Sequence, residues 1–130
     1  MENLYSFTKE ERLKSEVEIS LVYNSGEKTF SHPFKVYFLK KKSDNLTQLD
    51  DSIDQGKLRI CISVPKRKFK KAVDRNLIKR RTREAFRLNK HTWYNKIEKI
   101  NVDLYLIFIG NEISEYANIE KSMVKILNSV

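Results

Sequence analysis

A nearly continuous apolar run, VDLYLIFIG at residues 102–110, limits the folds open to this chain more than any other segment. The run has the length of a β-strand, and its apolar side chains fall on both faces of such a strand. A strand of this kind has to be covered on both faces, as central strands are. The run therefore predicts the central strand of a small sheet.

The segments around this run predict helices and further strands. In chain order they are an amphipathic helix over 12–24 that ends before Gly26, an aromatic-rich strand over 28–42 with Pro33 as a break or edge, a polar loop over 43–57, a buried strand over 58–64, the longest helix over 72–90, and a closing helix that carries Tyr116, Ile119, Met123 and Ile126. This order predicts an α/β protein, an α+β sandwich with one small mixed sheet, in which residues 1–130 form a single domain.

Composition excludes several classes of protein. The single cysteine, Cys61, cannot form an internal disulfide and suits a reducing, cytosolic setting. One cysteine and two histidines cannot build a Cys/His zinc cluster. No apolar run approaches the ~20 residues of a membrane span, and the first residues lack the pattern of a signal peptide. We therefore expect a cytoplasmic protein that does not bind a membrane. The acidic residues of the 43–57 loop, Asp50, Asp51 and Asp54, are expected to be solvated and not to bind a metal.

The excess of positive charge is confined to one short window. The chain has a net charge of +9, from 26 Lys and Arg against 17 Asp and Glu. Residues 66–83 hold ten basic residues and one acidic residue, Asp74, so the remaining charges of the chain balance. Such a concentration is typical of a surface that binds a polyanion.

Helical periodicity arranges these basic residues on one face of the longest helix. That face carries Arg75, Asn76, Lys79, Arg80, Arg83, Arg87 and Lys90, and the opposite face carries Val73, Leu77, Ile78, Ala85 and Leu88. Like charges at i,i+4 repel by a few tenths of a kcal/mol per pair, so a face almost without acids favours nucleic-acid binding. A basic helix packed on a sheet suits structured RNA more than DNA. Arg81 falls within the apolar face, where we expect its stem to pack while its head group extends to solvent.

The run SVPKRKFKKAVDRNLIKRRTREAF, from Ser63 to Phe86, resembles the signature of the bacterial ribonuclease P protein subunit. Nearly the whole chain follows the order of elements in that family. The resemblance implies a parallel strand–helix–strand unit with a left-handed crossover, against the usual right-handed rule. By position, Arg75, Asn76, Lys79, Arg80 and Arg83 match the family's basic helix, which contacts the catalytic RNA. The predicted RNA-binding residues are Lys66, Arg67, Lys68, Lys70, Lys71, Arg75, Asn76, Lys79, Arg80, Arg83 and Arg87. Leu77 stands where the family has an arginine, so that contact is expected to be absent or replaced by Arg81.

The resemblance further implies a cleft between the first helix and the sheet that binds the 5′ leader of precursor tRNA. By position, the cleft residues are Ile19, Tyr23, Lys35 and Tyr37. Aromatic faces can accept unstacked bases, and a lysine can bind phosphate. For Ile19 and Tyr23, plain core packing is the alternative.

The same resemblance implies that the RNA subunit carries out hydrolysis with Mg²⁺, and that the protein has no catalytic residues. The implied partners are the catalytic RNA and precursor tRNA, with no protein partner required. Two alternatives stay open from the residues. One is a stand-alone ribonuclease that uses His32 and His91 as base and acid, and the other is a non-catalytic RNA-binding module, such as a ribosome-associated protein.

Overall fold

Four strands form one mixed sheet in the computed structural model, which describes residues 7–42, 56–95 and 100–130. The strands are β1 (Glu27–Ser31), β2 (Phe34–Lys42), β3 (Leu58–Ser63) and β4 (Ile100–Phe108), in the spatial order β1-β2-β4-β3. Strand β4 pairs antiparallel with β2 and parallel with β3. The central position predicted for the apolar run is thereby confirmed.

The helices are α1 (Glu16–Ser25), α2 (Ala72–Asn89), α3 (His91–Tyr94) and α4 (Tyr116–Ser129), with a 3-10 turn at Lys9–Glu11 before them. Helix α2 belongs to the connection between the parallel neighbours β3 and β4. The predicted α/β class and its small mixed sheet are confirmed. The left-handed sense of the crossover stays a prediction from the resemblance.

The main core lies between one face of the sheet and helices α2 and α4. Alternate residues of β4, from Val102 to Phe108, are fully buried on this face. Phe86 of α2 and Met123 of α4 are also fully buried and pack in the same cluster. Each such side chain contributes roughly 1.5–3 kcal/mol by leaving water, so this layer is the larger source of hydrophobic stabilisation in the described fold.

A second, smaller cluster fills the space between α1 and the other face of the sheet. Leu13, Val22 and Tyr37 are buried there, and half-buried side chains from α1 and from the three longer strands surround them. Both faces of β4 are therefore covered, but the cover under α1 is thinner. The predicted face of α1 that carries Val17 and Leu21 points outward, with Val17 79% exposed.

Helix α1 begins four residues later than predicted because Ser15 caps it. The Ser15 hydroxyl accepts a hydrogen bond from Glu18 N, and an N-cap of this kind sets the first turn. The residues before the cap are extended: Arg12 bridges to Ile60 in parallel, and Leu13 N donates to Ile60 O at 3.0 Å. Gly26 caps the C-terminus of the helix, as predicted. A side chain does not fit there, because a Cβ on Gly26 would lie 2.7 Å from the carbonyl oxygen of Phe38.

The single strand predicted over 28–42 is a hairpin of two strands. Ser31 pairs with Phe34, so His32 and Pro33 form the turn. Proline lacks the N–H that a continuous strand would need there, which is why the break that Pro33 predicted becomes a reversal of direction.

Two further sequence predictions concern the acidic loop and membrane-spanning segments. Asp50, Asp51 and Asp54 of the acidic loop lie outside the described residues. Among the helices that the structure describes, none has the length and apolar character needed to cross a membrane.

Candidate nucleic-acid interface

The loop from Val64 to Lys71 connects β3 to α2 and is anchored by its one aromatic residue. Phe69 is buried, and its ring centroid lies 5.6 Å from that of Phe108 on β4. The backbone N–H groups of Lys68 and Phe69 donate to Pro65 O at 3.3 and 3.2 Å, which closes a tight turn. The basic side chains around this anchor point outward, and those exposed are Lys66, Arg67, Lys68, Lys70 and Lys71.

Arg75 holds this loop against the first turn of α2. Its Nη1 donates to the carbonyl oxygens of Phe69 and Lys70, at 2.7 and 2.9 Å. The guanidinium is therefore half-buried and positions the lysines of the loop while keeping its own charge. Lys68 is tethered as well, since its Nζ donates to Ile109 O at 2.8 Å.

The next turns of α2 present two arginines and an asparagine to solvent. Asn76, Arg80 and Arg83 are exposed, while Lys79 is half-buried close to Cys61 of β3. Burial raises the pKa of the Cys61 thiol, and the positive charge of Lys79 partly offsets that rise. The following side chains form no ion pair with any other described residue: Lys66, Arg67, Lys70, Lys71, Lys79, Arg80 and Arg83.

The last part of the predicted basic face is different. Arg87 is half-buried, and its Nε donates to Glu84 Oε2 at 3.0 Å; this contact raises the pKa of Arg87 and lowers that of Glu84. Lys90 is buried, and its Nζ lies 2.6 Å from Glu11 Oε1. Placing Lys90 on the exposed face was wrong, because the N-terminal segment folds over the end of α2 and covers it.

Leu77, which stands where the family has an arginine, and Arg81, its expected replacement, both lie away from the exposed cations. Leu77 is half-buried, as its place in the apolar face predicts. Arg81 does not extend freely into solvent: its Nη1 donates to Ser114 O at 2.7 Å, in the loop before α4. Arg81 therefore fixes that loop and does not stand in the position that Leu77 leaves without charge.

The four residues predicted for the leader cleft do come together, between α1 and the sheet. The Tyr23 and Tyr37 ring centroids are 4.8 Å apart, and Tyr105 of β4 lies 6.4 and 6.2 Å from them. Ile19 is half-buried and packs against the cluster that contains Tyr37. Its surroundings fit the core-packing alternative, whereas Tyr23 keeps 48% of its surface exposed.

Lysines cover the Tyr37 ring from β1 and β2. The Nζ of Lys35 lies 5.5 Å from the ring centroid and that of Lys28 lies 5.7 Å away. A hydrogen bond with Tyr37 raises the pKa of Lys35. Tyr37 is only 2% exposed, so its ring supports the cleft from below and offers no open face for a base. Lys28 was not predicted because the separate strand β1 was not recognised.

The cleft is closed at one end by an ionic network that sequence patterns did not suggest. Arg59 of β3 donates to both carboxylate oxygens of Asp103, which is 2% exposed, and also to Glu18 of α1. Lys41 Nζ lies 3.4 Å from Asp103 Oδ2. The network ties α1 to the strands beneath it and so sets the position of the helix over the sheet.

The two histidines lie toward opposite ends of the sheet. The turn that carries His32 lies beside the end of β4, where Ile109 N donates to Pro33 O at 2.8 Å. Helix α3, which carries His91, contacts the backbone of Leu58 at the start of β3. The two ends are separated by the length of about six strand residues, roughly 20 Å. The histidines therefore cannot act as acid and base on one phosphate.

The fold and its cationic surface define a class of small α/β proteins whose positive charge is concentrated on one crossover helix and the loop before it. Residues 7–130 match the family model described as Ribonuclease P. The chain belongs to the family of ribonuclease P protein components, which confirms the resemblance found in the sequence. Membership implies a part in a ribonuclease P holoenzyme and an RNA partner within it.

Relatives and solved structures agree with this assignment. The ribonuclease P protein component of Porphyromonas gingivalis is 28% identical over 125 residues, which cover 95% of this chain and 85% of the relative. That of Clostridium kluyveri is 34% identical over 119 residues, covering 92% and 87%. The structure of the RNase P protein from Thermotoga maritima matches with a TM-score of 0.67 at 23% identity, covering 92% of this chain and 97% of that one. The last likeness shows the fold.

Proposed function

We propose that this protein binds the catalytic RNA of ribonuclease P through α2 and its preceding loop, and binds the 5′ leader of precursor tRNA in the cleft beneath α1. The observation that carries the proposal is a group of seven cations, four in the loop and three on α2, that form no ion pair with a described residue. These cations repel one another until an anion neutralises them, and the phosphates of an RNA backbone supply such anions.

The start of α2 adds to this argument. Lys70 and Lys71 lie at the N-terminus of the helix, where the helix dipole is already positive and cations are disfavoured by about 0.3–1 kcal/mol. A phosphate at this position would be bound by the helix end and by the lysines together. The loop is held ready by Arg75 and Phe69, so little ordering would accompany binding.

The cleft supports a single-stranded partner. Tyr23 presents half of its surface beside Lys35, which pairs an aromatic face for a base with a cation for a phosphate. The buried ring of Tyr37 holds both of them in place. Contacts to backbone and to stacked bases tolerate many sequences, which suits a subunit that meets many precursor tRNAs.

We assign hydrolysis, and the Mg²⁺ that it needs, to the RNA subunit. Within the ranges that the structure describes, no three His, Cys, Asp or Glu side chains form a set of metal ligands. Among the described residues, the two buried carboxylates are Glu11 and Asp103, and these are already paired with Lys90 and Arg59. The protein's part is to reduce phosphate repulsion between two RNAs, which should lower the Mg²⁺ concentration required.

The test is cleavage of a 5′-extended precursor tRNA by a bacterial ribonuclease P RNA at low Mg²⁺, with and without this protein. We expect cleavage to be stimulated only when both RNA and protein are present. Cleavage by the protein alone would contradict the proposal and favour a nuclease. RNA binding without stimulation would also contradict it, and would leave a general RNA-binding module.

A further inference from the structure

Strand β1 presents an exposed aromatic ring on the same face of the sheet as the cleft. The β1–β2 register places Phe30 opposite Lys35 and Lys28 opposite Tyr37. Residues directly opposite in an antiparallel pair share a face, so all four side chains lie on the side of the sheet that α1 partly covers. Phe30 keeps 62% of its surface exposed there.

The rings on this face differ in what they can offer a ligand. Tyr37 is covered by Tyr23 and by the two lysines, and is 2% exposed. The exposed aromatic surfaces are therefore those of Tyr23, at the edge of α1, and Phe30, on the edge strand. Burial in the core does not account for Phe30, since most of its apolar surface stays in water.

We propose that Phe30 is a second base-stacking site for single-stranded RNA, with Lys28 and Lys35 binding the phosphates that precede the stacked base. The site lies about 7–8 Å from Tyr37, the diagonal spacing of an antiparallel pair, and one nucleotide of an extended strand bridges that distance. Exposed His32, whose ring centroid is 6.5 Å from that of Phe30, borders the site on the side of the turn. This inference rests on the proposed leader cleft and extends it across the hairpin.

The order of strands gives the site a position along the leader. Strand β3 lies at one edge of the sheet, next to the cations of α2, and β1 lies at the other edge. If the catalytic RNA occupies the α2 side, a leader that crosses the sheet reaches Phe30 last. Phe30 therefore contacts a nucleotide farther from the cleavage site than the nucleotide at Tyr23, and short leaders do not reach it.

The experiment measures the affinity of the reconstituted holoenzyme for precursor tRNAs whose leaders lengthen one nucleotide at a time. For the wild type we expect two increments in affinity as the leader grows. Phe30→Ala should remove the later increment, a loss of about five- to tenfold, at the lower end of the range for stacking on one base. Phe30→Trp should keep it. Lys14→Ala, at an exposed lysine before α1, is the surface control and should keep both increments.

The outcomes separate this inference from the function on which it rests. Phe30→Ala that follows the wild type at every leader length would overturn the stacking site, and so would Phe30→Leu with full affinity, since an aliphatic side chain offers no stacking face. If Tyr23→Ala still weakens leader binding in that case, the cleft stands without its extension. If both variants match the wild type at every leader length, the stacking site and the leader cleft are both wrong. Thermal unfolding of each variant checks that the loss is not one of stability.

Discussion

Arg59 of β3 and Asp103 of β4 are register partners joined by two hydrogen bonds of 2.8 Å, from Nε and Nη2 to the two carboxylate oxygens. The carboxylate is 2% exposed, so it depends on this guanidinium for its solvation. The same guanidinium also binds Glu18, and thus couples the sheet to α1. Arg59 therefore both stabilises the fold and sets the geometry of the cleft.

Replacing Arg59 should destabilise the protein by leaving a buried charge without its partner. We expect Arg59→Gln to lower the free energy of unfolding by about 2–4 kcal/mol, somewhat below the full cost for a deeply buried pair because Arg59 is partly exposed. Urea unfolding followed by circular dichroism measures the loss. In an Asp103→Asn background the same replacement should cost much less, and equal losses in both backgrounds would show that the pair is not coupled.

Glu18 should make stability depend on pH in the acidic range. Hydrogen bonding from Arg59 lowers the pKa of Glu18 below its ordinary value of 4.5. A carboxyl whose folded pKa is depressed stabilises the fold above its unfolded pKa, and loses that contribution as the pH falls through the folded value. Between pH 5 and pH 3, the wild type should therefore lose more stability than Glu18→Gln. Parallel curves for the two proteins would exclude this role.

Lys90 and Arg83 should separate stability from RNA binding. Lys90→Ala leaves Glu11 buried without its cation, and we expect a loss of about 3–5 kcal/mol in stability, with no change in the salt dependence of RNA binding among folded molecules.

Arg83→Ala, at an exposed position, should change the free energy of unfolding by no more than about 0.5 kcal/mol. It should reduce the log–log salt slope by about one unit or somewhat less. An unchanged slope would remove Arg83 from the interface.

Arg75 should act through geometry as well as charge. Lysine keeps the positive charge, but its Nζ lies one bond closer to the backbone than Arg75 Nη1, which donates to both carbonyl oxygens, so Arg75→Lys should release the loop that carries Lys66 to Lys71. We expect RNA affinity to fall several-fold while the salt slope changes little. A filter-binding titration over a range of salt concentrations measures both quantities. Wild-type affinity for Arg75→Lys would mean that the charge alone matters.

Tyr23 and Tyr37 should affect leader binding in different ways. Tyr23→Ala removes an exposed ring and should weaken binding of leader-bearing precursor about five- to tenfold while sparing mature tRNA. Tyr37→Ala should weaken precursor binding too, but also lower stability, because its ring is buried under Tyr23. Tyr37→Phe serves as the control, since it keeps the ring. Equal losses for precursor and mature tRNA would argue against a leader cleft.

Most of the fold was predictable because its strongest signals are local. The apolar run at residues 102–110 identified the central strand, and the 3.6-residue period of α2 and α4 identified the helices that cover it. The hairpin at Pro33 was missed, since a proline signals a break in a strand but not which way the chain continues. Because β1 was not recognised as a separate strand, Lys28 and Phe30 were not among the predicted cleft residues.

The site was predictable where exposure follows helical position, and not where tertiary contacts intervene. Arg80 and Arg83 are exposed as the helical period requires. Lys90 lies on the same face by period, yet it is buried, because Glu11 approaches from 79 residues earlier in the chain. The partnership of Arg59 with Asp103 is non-local in the same way, and the pairing of β3 with β4 brings it about. The RNA contacts themselves stay predictions.

The N-terminal bridge to Ile60 has a consequence for self-association. Strand β3 lies at an edge of the sheet. The unpaired N–H and C=O groups of an exposed edge strand can pair with a strand of a second copy. The short parallel bridge at Arg12 and the bond from Leu13 occupy the middle of that edge, and the buried contact of Glu11 with Lys90 holds the segment there. Loss of this segment would leave the backbone N–H and C=O groups at the outer edge of β3 unpaired, and we expect the free protein to self-associate through that edge.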